Sequence, residues 1–353
     1  MGQHIVIMAG GTGGHVFPAL AVAQFLKAKE WNVSWIGTQR GMESRVVPAN
    51  GIEIDWLSVE GIRGKGLKAM ISSVSQLLKA FLQAFEIFRK RKPDVVLGMG
   101  GYVAGPGGMV ASLMGIPLVI HEQNRVPGTT NRLLVKKADR VLEAFPDSFP
   151  LTAKAVFTGN PLRSYFLDFP DKELWTEESE RPFRILVVGG SQGAKALNDV
   201  VPAAAKHLEN VEIKHQTGTA SLELVTKKYA ELEVEAQTIE FVEDIASAYQ
   251  WADLVICRAG AMTVSEVAAA GIPAIFIPLP HAIDDHQTAN ARHLSDAEAA
   301  ILLVQSEFNE ISLNKAIENI KGSLGAMSTA VKNKAKLDAT AVVANICIEE
   351  ANK

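Results

Sequence analysis

Residues 5–25, IVIMAGGTGGHVFPALAVAQF, contain a strand, a glycine-rich turn and a helix in immediate succession. The uninterrupted apolar run Ile5–Met8 is typical of a parallel strand that is buried on both faces. After the turn, apolar side chains recur at helical spacing from Phe17 to Phe25. Glycine lets backbone N–H groups approach a ligand closely, and a helix N-terminus favours an anion. The segment Gly10–His15 therefore predicts a loop beside a phosphate-bearing ligand in an α/β protein.

The same succession of strand, glycine loop and helix restarts at residues 183–198, FRILVVGGSQGAKALN. Apolar runs with strand character alternate with helical segments in both halves of the chain, which predicts parallel sheets. The predicted strands are Ile5–Met8, Val33–Ile36, Val95–Leu97, Leu118–Ile120, Arg140–Leu142, Phe183–Val188, Glu212–His215, Thr238–Phe241, Leu254–Cys257, Ala274–Ile277 and Ala300–Leu303. We therefore expect two doubly wound domains facing a cleft, residues 1–162 and 163–353, with the last helix able to pack back on the first domain.

Composition excludes several classes of protein. A formal net charge of −4 over 353 residues argues against a nucleic-acid partner. Cys257 and Cys347 lie far apart in sequence, so neither a disulfide framework nor a zinc site is expected. The glycine loop interrupts the first apolar run too early for a signal peptide, and a cytoplasmic location is expected.

The glycine loops do not match the dinucleotide-binding fingerprint. That fingerprint needs G-x-G-x-x-G, and counting from Gly11 and Gly13 the third position is Val16. The second loop, Gly189–Gly193, fails the same test, and the strand in VSWIGTQR does not end in an acidic residue that could hold a ribose. A nicotinamide-dependent dehydrogenase is therefore not favoured.

The uncharged stretch Val95–Ile120 is long enough to span a bilayer. Its seven glycines and two prolines argue against a transmembrane helix. We expect instead a strand at Val95–Leu97, a loop at Gly98–Gly108, a short helix at Met109–Met114 and a further strand.

Seven motifs in order carry a specific resemblance: GGTGGHVFPAL, GMGGYVAGPG, HEQNRVPGTTNR, TGNPLR, GGSQGA, CRAGAMTVSE and DDHQTANA. With them the chain resembles the bacterial family of UDP-N-acetylglucosamine–N-acetylmuramyl-(pentapeptide) pyrophosphoryl-undecaprenol N-acetylglucosaminyltransferases, which convert lipid I to lipid II. The resemblance covers about residues 5–295. It implies the GT-B fold, an inverting transfer from UDP-N-acetylglucosamine to lipid I without a cofactor, and peripheral attachment to the anionic cytoplasmic face of the inner membrane.

The resemblance also implies which residues bind the donor. They are Thr12, Gly13, Gly14, Asn124, Arg163, Ser191, Ile245, Arg258, Ala261, Met262, Thr263, Val264, Ser265, Glu266 and Gln287. Within this set, Ile245 would contact uracil through its backbone and Gln287 the donor sugar. Ser191 also fits a helix N-cap, and a solvated helix face would equally explain Gln287.

Glu266 has two interpretations. From spacing alone it fits a capping box, with Thr263 as the N-cap and Glu266 returning its carboxylate to the Thr263 N–H. The resemblance implies instead that both Glu266 oxygens accept hydrogen bonds from the ribose hydroxyls, while the N–H groups of Met262 and Thr263 face the diphosphate. The adjacent carboxylates Asp284 and Asp285 lack the further ligands of a metal site, so no metal is expected.

Two residues are candidates for the base that deprotonates the acceptor. His15 follows the last glycine of the first loop, and its ordinary pKa suits proton removal near neutral pH. A histidine near a helix start is more often a structural hydrogen-bonding group, and Glu122 is the other candidate. The sequence leaves the choice open.

Two competing functions share the two-domain plan: a UDP-N-acetylglucosamine epimerase and a non-catalytic UDP-sugar sensor. The segment Lys68–Lys92 discriminates between them, because it combines a helical apolar stripe with a basic end. The stripe comprises Ile71, Val74, Leu78, Phe81, Leu82, Phe85 and Phe88. A helix that faces the core explains part of this stripe. The stripe has more bulky apolar positions than one core-facing side needs, which predicts an exposed patch that inserts into the surface of an anionic membrane.

Overall fold

The structure, a computed structural model, describes residues 2–59, 67–167, 169–170, 173–190, 194–280 and 285–353, with the side chains of residues 67–74 outside this description. The chain forms two compact units. The first comprises Met1–Ser164 and Lys336–Lys353, and the second comprises Tyr165–Ala335.

The first unit is built on a parallel sheet with helices on both faces. Its strands are β1 His4–Met8, β2 Asn32–Gly37, β3 Glu53–Trp56, β4 Val95–Gly98, β5 Leu118–Glu122, β6 Arg140–Glu143 and β7 Val156–Phe157. Its helices up to Ser164 are α1 Gly13–Ala28, α2 Glu43–Ala49, α3 Leu67–Arg91, α4 Gly101–Leu113 and α5 Thr129–Leu134, followed by a 3₁₀ turn at Leu151–Ala153. The strand order is β3-β2-β1-β4-β5-β6-β7, with every pairing parallel.

The second unit repeats the plan. Its strands are β8 Phe183–Val188, β9 Val211–Gln216, β10 Gln237–Ile239, β11 Leu254–Cys257, β12 Ala274–Phe276 and β13 Ala300–Leu302. Its helices are α6 Lys195–Ala205, α7 Leu222–Glu231, α8 Ile245–Trp251, α9 Ala261–Ala270, α10 His286–Ser295 and α11 Glu310–Lys332, with 3₁₀ turns at Ser164–Phe166 and Thr219–Ser221. The order β10-β9-β8-β11-β12-β13 is again parallel throughout, so the predicted doubly wound α/β class is confirmed.

After the second unit the chain returns to the first as α12, Ala339–Ala351. Val343, Ala344 and Cys347 are fully buried in the same apolar cluster as Ile5 and Ile7 of β1. On the opposite face of the sheet, Val6 and Met8 pack in a second cluster with residues of α3 and α4. Because strand side chains alternate between faces, the uninterrupted apolar run of β1 serves both layers.

The predicted loop at Gly98–Gly108 is wrong for most of its length, because α4 begins at Gly101. The turn is confined to Gly100 and Gly101, which have φ of 87° and 78°. The later glycines lie inside the helix, where they permit close packing. A methyl group on Gly107 would overlap Met8 Sδ, and one on Gly108 would lie 2.8 Å from Leu134 Cδ1. Here glycine marks a tightly packed helix instead of a loop.

Candidate active site

In each unit some of the candidate residues follow strands at the point where the strand order reverses. In the first unit β1 and β4 are neighbours, and they lead into the loops at residues 9–12 and 99–100. In the second unit β8 and β11 are neighbours, and β11 leads through Arg258 into α9. Doubly wound sheets bind ligands at this position, beyond the carboxyl ends of the strands.

The two glycine loops of the first unit touch through their backbones. A methyl group on Gly101 would lie 2.6 Å from the carbonyl oxygen of Gly10. The Thr130 hydroxyl donates to the Gly101 carbonyl at 3.2 Å, which holds α5 against the same turn. The loops can approach this closely because Gly101 lacks a side chain.

His15 lies between these loops, in the first turn of α1. Its backbone N–H donates to the Thr12 carbonyl at 3.1 Å, and its Nδ1 is hydrogen-bonded with Thr12 Oγ1 at 3.3 Å. The opposite edge of the ring faces Gly100, where an added methyl group would lie 3.2 Å from Nε2. Burial lowers the pKa of His15, and the charges of Glu122 and Glu43 oppose that shift. The imidazole is therefore neutral near pH 7 and can accept a proton.

Glu43, at the start of α2, is a site residue that the sequence analysis missed. Its side chain is fully buried beneath the first glycine loop. Oε2 accepts the Gly11 N–H at 3.0 Å, and Oε1 accepts the Thr38 N–H at 2.9 Å and the Thr38 hydroxyl at 2.7 Å. Because Gly11 gives its N–H to Glu43, that N–H is not available to a phosphate. In the sequence, the glycines Gly37 and Gly41 of IGTQRGME are the only local sign of Glu43's role, because both leave room for its side chain.

Glu122 is buried and both of its oxygens are occupied. Oε1 accepts from the backbone N–H of Asn124 at 2.9 Å and from its side-chain amide at 3.4 Å. Oε2 accepts from the Gly128 N–H at 3.0 Å and from Asn131 Nδ2 at 2.9 Å. A carboxylate held by four donors is suited to ordering the loop between β5 and α5, and less suited to receiving a proton.

His121 and Gln123 form a buried polar pair beside Glu122. His121 Nε2 donates to the Gly159 carbonyl at 3.0 Å, and Nδ1 accepts from Gln123 Nε2 at 3.0 Å. Burial lowers the pKa of His121 to about 4, so the ring is neutral. The Gln123 Oε1 atom is buried without a hydrogen-bond partner among the described residues. A methyl group on Gly100 would lie 3.7 Å from it, on the side that His15 faces.

Asn124 and Arg163 lie in the same unit as His15. Asn124 is fixed by the Glu122 bonds just described. The Arg163 guanidinium lies over the Phe17 ring, 5.3 Å from its centroid, which holds it beside the first turns of α1. Thr12, Gly13 and Gly14 form the cap and start of that helix.

The predicted capping box at Thr263 and Glu266 is wrong. The N-cap of α9 is Gly260, in extended conformation and without a side-chain cap, so the helix begins three residues before the predicted start. Glu266 consequently lies in the second turn, too far along to return to an N-cap N–H. The N–H groups of Ala261, Met262 and Thr263 belong to the first turn and have no helical acceptor.

Glu266 is 8% exposed. Burial of the Cys257 thiol raises its pKa, and the charge of Glu266 adds to that shift. Arg258 lies between β11 and α9. Its Nη1 donates to the carbonyls of Ile277 and Pro278 at 2.9 and 3.1 Å, which fixes the loop after β12. Burial lowers the pKa of Arg258 below its usual range.

Gln287 is the second residue of α10 and is half-buried. Its Oε1 accepts the Leu279 N–H at 2.9 Å, which directs the remaining amide donors away from that loop. Asn290 is buried one turn later and donates to the Ala259 carbonyl at 3.2 Å, so α10 and the start of α9 are held together. Asp285 accepts from the Thr288 hydroxyl at 2.7 Å, an ordinary helix-start contact.

Ile245 is the first residue of α8 and is half-buried, with Asp244 as the N-cap. Asp244 accepts from the Ser247 N–H at 3.0 Å, and the two Ser247 donors lower its pKa. The backbone of Ile245 therefore lies at a helix start with a fixed geometry.

Some predicted residues fall outside the described part of the chain. These are Ser191, Asp284 and the side chains of Lys68, Ile71 and Val74. Within the described ranges, no cluster of three or more His, Cys, Asp or Glu side chains is placed to hold a metal ion. Among the same residues, no helix combines the length and apolarity needed to cross a membrane.

The apolar residues of α3 divide into two stripes. Ala80, Ala84 and Phe88 are buried against the sheet, and Phe81 is partly buried beside them. Leu78, Leu82 and Phe85 are 62%, 59% and 43% exposed. The Arg89 guanidinium lies 5.9 Å from the Phe85 ring centroid. We call Leu78, Leu82, Phe85 and Arg89 the α3 patch.

Comparison with known proteins agrees with this geometry. Residues 5–143 match the glycosyltransferase family 28 N-terminal domain, and residues 184–343 match its C-terminal domain. A relative from Methylococcus capsulatus, a UDP-N-acetylglucosamine--N-acetylmuramyl-(pentapeptide) pyrophosphoryl-undecaprenol N-acetylglucosamine transferase, is 56% identical and covers 99% of both chains. The crystal structure of Acinetobacter baumannii MurG has a TM-score of 0.84 at 42% identity, covering 98% of this chain and 99% of that one. A UDP-GlcNAc 2-epimerase from Neisseria meningitidis has a TM-score of 0.67 at 14% identity, covering 99% and 100%, and shares the fold alone.

Proposed function

This chain belongs to glycosyltransferase family 28, within the group of UDP-N-acetylglucosamine–N-acetylmuramyl-(pentapeptide) pyrophosphoryl-undecaprenol N-acetylglucosamine transferases, and from that membership we propose its reaction. It transfers N-acetylglucosamine from UDP-N-acetylglucosamine to the C4 hydroxyl of the N-acetylmuramyl unit of lipid I, which gives lipid II for peptidoglycan synthesis. The observation that carries this proposal is the 56% identity over essentially the whole of both chains. Its two units have the GT-B fold.

The second unit binds the nucleotide of the donor. Glu266 accepts hydrogen bonds from the two ribose hydroxyls, and the first-turn N–H groups of Met262 and Thr263 bind the diphosphate. The structure supports this assignment because the N-cap residue Gly260 has no side chain to cap α9, and the first-turn N–H groups point to the start of the helix. The Ile245 backbone contacts uracil, and Gln287 contacts the sugar through its amide donors. Ser191, Asn124 and Arg163 complete the donor set.

The first unit supplies the base and receives the acceptor, and Thr12, Gly13 and Gly14 form a floor beneath the reacting sugar and the diphosphates. The C4 oxygen attacks the anomeric carbon, the bond from that carbon to the UDP oxygen breaks, and the hydroxyl proton passes to His15. His15 is favoured over Glu122 because its Nε2 edge faces Gly100, whereas Glu122 already accepts four hydrogen bonds. The carboxylates of Glu43 and Glu122 stabilise the imidazolium that forms.

The first unit also attaches to the membrane that carries lipid I. Three exposed apolar side chains and a cation on one helix face suit shallow insertion among anionic headgroups. Attachment at the cytoplasmic face of the inner membrane agrees with where lipid I and UDP-N-acetylglucosamine meet.

A product assay with a lipid I analogue tests the reaction and separates the alternatives. The expected result is a β-linked disaccharide lipid and free UDP. An epimerase would change the configuration of the sugar on UDP without needing the lipid, and a sensor would bind UDP-N-acetylglucosamine without turnover. Neither alternative is favoured, since the likeness to an epimerase is confined to the fold. Formation of the epimerised UDP-sugar without the lipid, or no turnover at all, would overturn the proposal.

A further inference from the structure

Three glycines from three segments leave the space that the Glu43 side chain fills. A methyl group on Gly10 would lie 2.6 Å from Glu43 Oε1, and one on Gly37 would lie 2.7 Å from its Cγ. A methyl group on Gly41 would overlap the carboxylate itself. The end of β1, the end of β2 and the turn before α2 are thus all shaped around this one side chain.

The hydrogen-bonding groups around Glu43 are all donors. They are the Gly11 N–H, the Thr38 N–H and the Thr38 hydroxyl, at 3.0, 2.9 and 2.7 Å. A carboxylate satisfies them because it is an acceptor at both oxygens. A glutamine would place its NH₂ group against one of the backbone N–H groups, so even an isosteric substitution leaves a buried donor unpaired.

Glu43 is also one of two carboxylates whose charge acts on His15. Glu122 acts from the end of β5, and Glu43 acts from beneath the loop that leads into α1. Among the described residues, the Thr12 hydroxyl, the Gly100 backbone and the Gln123 amide lie on the same side as the His15 ring, and all three are neutral. Since Glu122 is committed to ordering its own loop, Glu43 is the carboxylate whose position is coupled to the loop that carries His15.

We propose that Glu43 is a positioning residue of the transfer reaction: it fixes the backbone of the loop at Gly11 and supplies the buried negative charge that stabilises protonated His15. The inference rests on the proposed function, in which His15 takes the proton from the acceptor. Glu43 itself touches neither donor nor acceptor.

Glu43→Gln tests the proposal in the full chain. We expect kcat to fall about tenfold to a hundredfold with KM for UDP-N-acetylglucosamine changed less than about threefold. The acid limb of the kcat/KM profile moves to lower pH by about half a unit or more, because His15 loses a stabilising charge. The His15 ring, followed by NMR titration without substrate, shifts in the same direction. A merely structural role for Glu43 would not move either midpoint.

Two further variants keep the test decisive. Ser44→Ala removes the 2.8 Å bond from the neighbouring hydroxyl to the Gly41 carbonyl without touching Glu43, and we expect the parent's acid limb and kcat within about twofold. Glu43→Asp keeps the charge but draws it back from Gly11, so the acid limb stays while kcat falls, which remains measurable if Glu43→Gln does not fold. Parental kcat in Glu43→Asp, or an unmoved acid limb in folded Glu43→Gln, overturns the proposal. Failure of the parent itself to make product would instead overturn the proposed function.

Discussion

At the scale of single residues, the Glu266 carboxylate gives the sharpest test of donor binding. Glu266→Gln preserves shape and, because Glu266 is not part of a cap, should change the free energy of unfolding by no more than about 1 kcal/mol. It replaces one acceptor oxygen with a donor, so both ribose hydroxyls can no longer be accepted. UDP binding should weaken by about 1.5–3 kcal/mol, roughly tenfold to a hundredfold, as measured by titration calorimetry.

Glu310→Gln is the matched control for Glu266→Gln. Glu310 is an exposed acidic residue in the first turn of α11. Its substitution should leave the affinity for UDP unchanged. If Glu266→Gln binds UDP as tightly as this control, Glu266 does not hold the ribose.

His121 makes the first unit sensitive to acid. Its folded pKa of about 4 lies below the ordinary value of 6.5, so between these values the unfolded chain binds more protons. The free energy of unfolding should therefore fall as pH drops from 6.5 towards 4, by up to about 1.4 kcal/mol per pH unit. Above pH 6.5 this contribution is constant.

Urea unfolding of the parent and of His121→Gln at pH 7 and pH 5 measures this contribution. The variant should lose less stability between the two pH values than the parent, whatever its stability at pH 7. Equal losses in both proteins would show that His121 is not the group responsible. His215, whose pKa burial lowers to about 3, adds a similar sensitivity in the second unit and remains in both proteins.

Local motifs predicted candidate site residues, but not which polar groups those residues contact. His15 was a candidate because it follows the glycine loop, and the contact of its ring with Gly100 was not predicted. Glu43 was missed because its function depends on three segments that meet only in the folded chain. Thr263 and Glu266 have the spacing of a capping box. Gly260, in extended conformation, is nevertheless the N-cap, so the helix begins at Ala261 and Thr263 already lies inside it.

At the scale of elements, the close approach of α4 to the first glycine loop can be tested by substituting two glycines that have similar backbone conformations but different surroundings. Gly101 and Gly115 both have positive φ, 78° and 71°. The methyl group added by Gly115→Ala has no atom within 4 Å. This substitution should therefore lower the free energy of unfolding only by the backbone strain, about 1 kcal/mol. The methyl group added by Gly101→Ala would also lie 2.6 Å from the Gly10 carbonyl oxygen. This substitution should therefore lower the free energy of unfolding by about 1–3 kcal/mol more than Gly115→Ala does. Urea unfolding of both variants measures the two losses of stability, and equal losses would contradict the close contact between Gly101 and Gly10.

The α3 patch predicts salt-sensitive attachment to anionic vesicles. Leu82→Glu should weaken sedimentation with anionic vesicles about tenfold, because it removes apolar area and adds repulsion. Leu224→Glu, at a leucine that is 58% exposed on α7 of the second unit, is the control and should bind as the parent does. Equal binding of the parent to neutral and anionic vesicles at low salt would count against the patch.

The central strands of both sheets were predictable, as were the edge strands β10 and β13 of the second sheet, whereas the edge strands β3 and β7 of the first sheet were not. Strands β1, β4, β8 and β11 lie at sheet centres, so burial on both faces makes each of them mainly apolar, with His4 at the start of β1 and Arg184 in β8 as the polar exceptions. The edge strand β7 is two residues long with both side chains partly exposed, and it leaves no pattern to recognise. In α4, glycine serves helix packing, which local sequence cannot distinguish from a loop.

At the scale of the whole molecule, α12 ties the end of the chain to the stability of the first unit. Val343 is fully buried with β1 and α1. Arg140 Nε pairs with Glu350 at 2.5 Å, and the Thr340 hydroxyl donates to the Leu162 carbonyl at 3.2 Å. These contacts make α12 part of the first unit's core.

Val343→Ala tests whether α12 is part of the first unit's core. The lost methyl groups should destabilise the first unit by about 1–3 kcal/mol. Hydrogen exchange followed by mass spectrometry should show β1 and β4 losing protection while β8 and β11 keep theirs. Uniform loss across both sheets, or none in β1, would contradict the assignment.

The position of α12 in the chain also has a consequence for synthesis. A ribosome adds residues 165–335 before it reaches α12, which takes roughly ten to thirty seconds at bacterial rates of about 5–20 residues per second. Throughout that interval the nascent first unit lacks the helix that covers α1 and β4, so an apolar face stays open to chaperones or to misassembly. The second unit, whose described elements are contiguous in the chain, can fold as it emerges. The part of the protein that is translated first is thus the part that finishes folding last.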